Sequence, residues 1–206
     1  MRCFLLSSLL LIFFGCSSAY KNLQKTTGDI NAINKFKPAI SVILYKAEIN
    51  VIGNYLSGLL LIKKMPDGST RMLFSNEMGF KFFDFEFSRD GGFKVYYILK
   101  KMDRKAVVKT LKKDFELVLM QNMDTSNAYI CKDENQSRYY VFPQQKGYNY
   151  YITDSTGNEL IRMERASKRK AVVTVVAKNY TNGLPDTIGI THHKFDFTIG
   201  LKKIER

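Results

Sequence analysis

Most of the chain beyond residue 39 alternates apolar and polar residues with a period of two. This alternation predicts strands with one buried face, and the short spacing between them favours an antiparallel sheet of consecutive strands. Turn residues interrupt the alternation at Pro66-Asp67-Gly68, Asp90-Gly91-Gly92, Gln145-Lys146-Gly147 and Ser155-Thr156-Gly157. The predicted strands are 40–49, 52–63, 71–75, 80–87, 92–99, 127–132, 138–142, 148–153, 159–165, 171–177, 187–192 and 195–203.

One segment breaks this pattern and predicts an amphipathic helix of about four turns. Asp103 stands where it could cap the start of that helix. Such a helix needs an apolar surface to lie on, and we expect this surface to be the concave face of a curled sheet. The apolar residues of the helix fall within one third of a helical wheel and are Val107, Val108, Leu111, Phe115, Val118 and Leu119.

Some of the predicted strands carry more apolar residues than a half-exposed sheet requires. Residues 59–62 and 172–176 are apolar on both faces, which predicts that these strands are covered on both sides. Either a fuller barrel interior or a ligand-lined cavity would satisfy this pattern. For a cavity, the candidate lining residues are Leu60, Phe83, Phe85 and Val175.

The first residues have the pattern of a bacterial lipoprotein signal. Arg2 precedes the apolar run 3–14, which is shorter than the ~20 residues that a membrane-spanning helix needs. The sequence Ile12-Phe13-Phe14-Gly15-Cys16 resembles a lipobox, so we expect cleavage before Cys16 and acylation of its sulfur. The alternative is an ordinary signal peptide with an incidental cysteine.

This interpretation divides the chain into a signal peptide (1–15), a lipidated cysteine with a polar tether (16–38) and one domain (39–206). The tether is predicted to contain one short helix near 29–36. Several acyl chains give stable anchoring, whereas a single chain binds a membrane only reversibly. Because Cys3 leaves with the signal peptide, Cys131 is expected to be a free thiol with no disulfide partner.

The charge balance is strongly basic, with 32 Lys and Arg against 19 Asp and Glu and a formal net charge of +13. Such an excess favours polyanions. For an exported, lipid-anchored chain we expect anionic lipid headgroups or lipopolysaccharide phosphates, and not nucleic acid. The alternative is a surface that is basic without a specific partner.

Two stretches resemble the family of the lipoprotein-localisation receptor LolB and its periplasmic carrier LolA. The first is Leu73-Phe74-Ser75-Asn76-Glu77-Met78-Gly79-Phe80, similar to that family's strand, Asn-Pro-Leu-Gly turn and second strand. The second is Leu184-Pro185-Asp186-Thr187-Ile188-Gly189-Ile190 with the closing strand 195–201. The resemblance implies an incomplete β-barrel of about eleven strands, mainly β with a helix inside.

The resemblance also implies a membrane-contact turn formed by Glu77, Met78 and Gly79. The receptor's turn presents an exposed leucine to the membrane, and Met78 takes that place here. Glu77 departs from the family's proline, and a carboxylate beside the tip has to remain at the membrane interface.

Candidate catalytic residues are few. His192 and His193 are adjacent, so on a strand they point to opposite faces and cannot bind one metal ion together. Asp84 and Glu86 share a face, which is more typical of a solvated sheet than of a pair of catalytic acids. No glycine-rich phosphate loop is present. The sequence therefore predicts neither an enzyme nor a cofactor.

The leading functional hypothesis is a non-enzymatic lipoprotein that binds or transfers acyl chains or lipoproteins in the cell envelope. Its expected partners are membrane lipid, lipoprotein acyl chains and a periplasmic carrier protein, and the chain is expected to be a monomer. Ser17 and Ser18 follow Cys16 with no aspartate, and by resemblance to enteric sorting rules this favours the outer membrane over inner-membrane retention. No acidic export tag follows the cysteine, which favours the periplasmic side of that membrane. The alternative is a structural or interaction lipoprotein with a filled core and no ligand.

Overall fold

The computed structural model describes residues 18–204 except 52, 122 and 182, so the predicted signal peptide and Cys16 lie outside the described residues. Its helices are a 3₁₀ helix, Ile30–Phe36, and an α-helix, α1, Lys105–Val118. The strands are β1 Gln24–Thr26, β2 Val42–Val51, β3 Asn54–Lys64, β4 Thr70–Ser75, β5 Lys81–Phe87, β6 Phe93–Ile98, β7 Tyr129–Lys132, β8 Arg138–Pro143, β9 Tyr148–Thr153, β10 Leu160–Ala166, β11 Ala171–Thr181, β12 Leu184–His192 and β13 Phe197–Lys203.

All of these strands form one antiparallel sheet in the order β1-β7-β8-β9-β10-β11-β12-β13-β2-β3-β4-β5-β6. The sheet is curled but not closed, and β1 and β6 are its two edges. The predicted curled antiparallel sheet with one central α-helix is confirmed. The sheet has thirteen strands rather than about eleven.

The segment predicted as a tether takes part in the fold. The 3₁₀ helix lies close to the helix predicted near 29–36. Asp29 caps it, because its side-chain oxygen accepts a 2.9 Å hydrogen bond from the Asn31 backbone N–H. Gln24–Thr26 pair with β7 as a strand that the sequence analysis missed. Hydrogen bonds between the backbones of β1 and β7 hold this strand in place. Backbone hydrogen bonds do not depend on alternating apolar side chains, so the sequence pattern did not reveal the strand.

Twelve strands correspond to the predicted ones, and the main difference lies between β11 and β12. The predicted strands stop at 177 and resume at 187, whereas the observed pair continues to Thr181 and resumes at Leu184. Gly183 has a φ of 75°, which allows a tight turn there. Pro185 lies opposite Tyr180 within the ladder.

Helix α1 packs on the inner face of the sheet through Leu111, Phe115 and Val118, all of which are buried. Asp103 does not cap the helix, contrary to the prediction. The cap position belongs to Arg104, which makes no side-chain capping bond. Asp103 lies instead in the turn that leaves β6, where its backbone N–H donates to the Leu99 carbonyl oxygen.

Residues 59–62 and 172–176 were predicted to be covered on both sides, and their outer faces are only partly covered. Inward-facing Leu60, Ile62, Val173 and Val175 are buried, while their sequence neighbours on the outer face are only half-buried. Helix α1 and the curl of the sheet cover the inner face here.

The outer face is covered elsewhere, by the chain that enters the domain. Tyr20 and Leu23 pack over a second apolar cluster on β7–β10 that includes Cys131, Tyr139 and Tyr150. The Tyr20 ring stacks on Tyr150 with 4.5 Å between centroids. The chain is therefore fixed to the sheet from Ser18 onward.

Candidate functional site

The interior beneath α1 contains all four predicted lining residues. Leu60, Phe83, Phe85 and Val175 point inward, and each side chain is 1 % exposed or less. The Phe83 and Phe85 rings stack with 4.4 Å between their centroids. The four residues belong to one apolar cluster, as a common interior requires.

The structure places the side chains of α1 against these residues. Phe115 of α1 approaches Phe83, with 6.0 Å between ring centroids, and Leu111 belongs to the same cluster. An acyl chain entering this interior would therefore have to replace helix contacts.

A buried polar group connects α1 to the sheet. Asp114 of α1 lies 2.7 Å from His192 Nε2, and Arg165 Nη2 lies 3.1 Å from its other carboxylate oxygen. The Asp114 side chain is fully buried, so both partners compensate a charge that would be costly alone. Sequence reasoning missed this group, although an aspartate next to Phe115 on a buried helix face was a signal for it.

The two histidines separate as the strand geometry predicts. His192 faces the interior, and its ring packs beside those of Phe195 and Phe197 at centroid distances of 4.8 Å and 4.7 Å. His193 faces outward, with its Nε2 2.7 Å from the Thr174 hydroxyl oxygen. In the part of the chain that the structure describes, no group of three or more potential metal ligands comes together.

The turn between β4 and β5 exposes the predicted apolar tip. Met78 is 93 % exposed, and Glu77 and Gly79 are exposed beside it. Gly79 has a φ of 83°, a conformation that favours glycine. Phe80, which the sequence analysis left out of the turn, is 62 % exposed.

Hydrogen bonds hold this turn in shape. The Asn76 side-chain oxygen accepts from the Phe80 backbone N–H at 2.7 Å, and the Asn76 N–H donates to the Phe80 carbonyl oxygen at 2.9 Å. The Gly79 N–H donates to the Asn76 carbonyl oxygen at 3.0 Å. Met78 therefore projects from an ordered hairpin.

Aromatic rings continue from this turn toward the interior. A β-bulge leaves Phe82 without a partner on β4, because Ser75 pairs with Lys81 and Phe74 with Phe83. The Phe82 ring lies 4.7 Å from Phe74, which in turn lies 5.5 Å from Phe83. The exposed tip and these aromatic rings thus belong to the same β4–β5 hairpin.

Other candidate chemical groups have structural partners. Asp84 receives two bonds from the Arg71 guanidinium, at 2.8 Å and 2.9 Å. Glu86 accepts from the Tyr96 hydroxyl at 3.3 Å. Cys131 is a buried free thiol, and burial raises its pKa. These contacts agree with structural rather than catalytic roles.

A shallow groove of about 910 Å³ crosses the outer face of β11, β12, β13 and β2. Its floor includes Gly189 and Gly200, which pair across β12 and β13. Lys46, Lys178 and Lys202 lie along one side of the groove.

Among the described residues, no helix has the length and hydrophobicity needed to cross a membrane.

No protein-family model matches the chain, and no curated protein matches it. It is similar in structure to a DUF1329 family protein from Desulfovibrio piger and to a protein described as an outer membrane lipoprotein-sorting domain from Vibrio parahaemolyticus. Each match has 10 % identity and a TM-score of 0.46 and covers 85 % of this chain and 90 % of the other.

A LolA superfamily protein from Nitrosomonas europaea is similar at 9 % identity, with a TM-score of 0.49 and the same shares of the two chains covered. At these identities the likeness concerns the fold alone.

Proposed function

We propose that this chain is a non-enzymatic lipoprotein of the bacterial outer membrane, anchored through acylated Cys16 on the periplasmic side, that binds or transfers acyl chains or lipoproteins. The observation that carries the proposal is the exposed turn at Met78 and Phe80, which continues into the apolar interior. Large apolar side chains at the tip of an ordered hairpin are typical of a contact surface.

The energies of acyl binding and helix packing are comparable. Burying a chain of about 16 carbons contributes about 12 kcal/mol, at about 0.8 kcal/mol for each methylene group. Removing Leu111, Phe115, Leu117 and Val118 from the interior costs about 6–12 kcal/mol at 1.5–3 kcal/mol for each side chain, and separating Asp114 from its partners costs about 3–5 kcal/mol more. In this proposal an acyl chain takes the place of α1 on the inner face, and α1 moves outward on loading.

The turn is proposed to contact the membrane during transfer. Replacing Met78 with glutamate places a second carboxylate beside Glu77 at the tip, which opposes insertion into hydrocarbon. We expect Met78→Glu to slow lipoprotein transfer to membranes by about tenfold or more. A reconstituted transfer assay with a lipoprotein-loaded carrier measures this rate.

Val42→Glu is the matched control, because Val42 is also exposed but lies at the opposite end of the sheet. The control is expected to transfer at the unchanged rate. Equal rates for the Met78→Glu variant and the unmodified protein, with both folded, would remove the turn from the mechanism.

The filled interior favours a second candidate function. Leu60, Phe83, Phe85 and Val175 already pack within the core, as expected for a structural or interaction lipoprotein without a ligand. A fluorescent fatty acid distinguishes the two functions. Saturable binding that an unlabelled fatty acid reverses supports acyl handling, and the absence of binding supports the interaction protein.

A further inference from the structure

The two ends of the sheet differ in charge. Since neighbouring strands are antiparallel, hairpin turns alternate between the ends, and turns 76–80, 144–147, 167–170 and 193–196 share one end. We call this end the basic rim. Its turns carry Lys146, Lys168, Arg169, Lys170 and Lys194 against the acids Glu77 and Asp196.

The turns at the opposite end, which we call the acidic end, have the reverse balance, although Lys63, Lys64, Lys132 and Arg138 flank them on the strands. Turns 65–69, 88–92, 133–137 and 154–159 carry one basic residue, Arg89. Their acids are Asp67, Asp90, Asp133, Glu134, Asp154 and Glu159. The hairpin turns therefore differ in charge between the two ends, and the basic turns lie at the rim that also bears Met78.

The strongest basic feature of the rim is the ordered turn 167–170. The Ser167 hydroxyl donates to the Lys170 carbonyl oxygen at 3.0 Å and accepts from the Lys170 N–H at 3.1 Å. Lys168, Arg169 and Lys170 are all exposed, and none forms an ion pair with the described part of the chain. Their charges are available to an external anion.

The chain that follows the proposed lipidation site is bound to this same turn. The Ser18 hydroxyl donates to the Lys168 carbonyl oxygen at 3.1 Å, and the Ala19 N–H donates to the Arg169 carbonyl oxygen at 2.9 Å. Only two peptide steps separate Cys16 from Ser18, a span of at most about 7.6 Å. An acyl group on Cys16 would enter the membrane beside the basic turn.

We propose that the basic rim is the membrane-facing surface of the domain, with Lys168, Arg169 and Lys170 binding anionic lipid headgroups beside the Cys16 anchor while the Met78 turn reaches the same bilayer. This orientation rests on the proposed lipid anchor and deepens the proposed function. The short connection to Ser18 holds the rim at the headgroups, where each basic residue strengthens binding about fivefold. The acidic end then faces away from the membrane.

The test uses the mature chain from residue 16 with Cys16→Ser, exported with a cleavable signal peptide, so that the acyl anchor does not mask rim binding. Vesicles of phosphatidylcholine with phosphatidylglycerol are compared with phosphatidylcholine alone. The combined variant Lys168→Glu, Arg169→Glu and Lys170→Glu is expected to lose on the order of a hundredfold in partitioning to the anionic vesicles.

A matched control reverses three lysines beside the outer-face groove, Lys46→Glu, Lys178→Glu and Lys202→Glu. It changes the net charge equally but is expected to lose less than about fivefold, because these residues are distant from the membrane. Equal losses in both variants, or no loss in the rim variant, would overturn the proposal. Circular dichroism confirms that both variants fold.

A second measurement reports orientation directly, since the chain contains no tryptophan. Phe80→Trp places a single fluorophore on the rim, and Tyr180→Trp places one near the acidic end. Brominated lipids are expected to quench the first and not the second, and the reverse or equal quenching would overturn the proposal. Fatty-acid binding is measured separately, so a failed orientation does not refute acyl handling.

Discussion

Tyr20 is the residue that holds the entering chain against the outer face of the sheet. Its hydroxyl donates to Glu164 at 2.5 Å, and Arg162 donates to the other carboxylate oxygen at 2.6 Å. Burial, and then the bond to Glu164, raises the pKa of Tyr20 above its usual value. Tyr20 is therefore neutral in the folded protein, and the stability that its neutral hydroxyl contributes is lost as the pH rises above about 10.

Removing the Tyr20 ring should expose Cys131, which is 4 % exposed in the cluster that Tyr20 covers. We expect Tyr20→Ala, in a Cys16→Ser background, to accelerate modification of Cys131 by a thiol reagent on the order of tenfold, because residues 18–26 open locally. Tyr55→Ala removes an exposed tyrosine and is the control. An unchanged modification rate in Tyr20→Ala would mean that this segment does not protect the thiol.

At the scale of elements, α1 combines an apolar face with one buried acid. Leu111 and Phe115 pack inside the sheet, while Asp114 contacts His192 of β12 and Arg165 of β10. The helix is therefore fixed in position by a polar group as well as by apolar packing. Loading in the proposed function requires these contacts to break together.

Asp114→Ala leaves two buried polar side chains without their common partner. We expect it to lower the free energy of unfolding by about 3–5 kcal/mol, measured by urea denaturation. Asp103→Ala is the control and should change the free energy by less than about 0.5 kcal/mol, because Asp103 does not cap α1. A loss below about 1 kcal/mol in Asp114→Ala would contradict the role of this contact.

The sequence predicted those strands and helices whose positions follow from the local periodicity of apolar residues. Alternation located twelve strands, and helical spacing located α1 with Phe115 facing inward. It missed β1, whose residues Gln24–Thr26 have no apolar periodicity and are placed by long-range pairing with β7. The end of β11 was also missed, because the turn at Gly183 depends on pairing that continues past Tyr180.

For the candidate site, the sequence predicted which residues face inward but not what fills the space. Leu60 and Phe83 follow from strand alternation, whereas the approach of Phe115 depends on how α1 crosses the sheet. The Met78 turn was predicted from the resemblance alone. The contacts of Asp114 were not, because its partners lie on strands distant in sequence.

At the scale of the whole molecule, an open curled sheet brings three features to one end. The apolar turn, the turn of Lys168, Arg169 and Lys170, and Ser18, the first residue that the structure describes, all lie at the basic rim. Because they lie at the same end, one orientation of the domain on the membrane allows the proposed anchor, the membrane contact and acyl transfer to act together.

Native mass spectrometry of the Cys16→Ser protein, purified from a bacterial periplasm, tests acyl binding most directly. The proposed function predicts a species heavier than the chain by the mass of a fatty acid or phospholipid, which dissociates on activation. A folded protein that appears only at its own mass, and stays at that mass after incubation with fatty acid, would contradict acyl handling and favour the interaction lipoprotein.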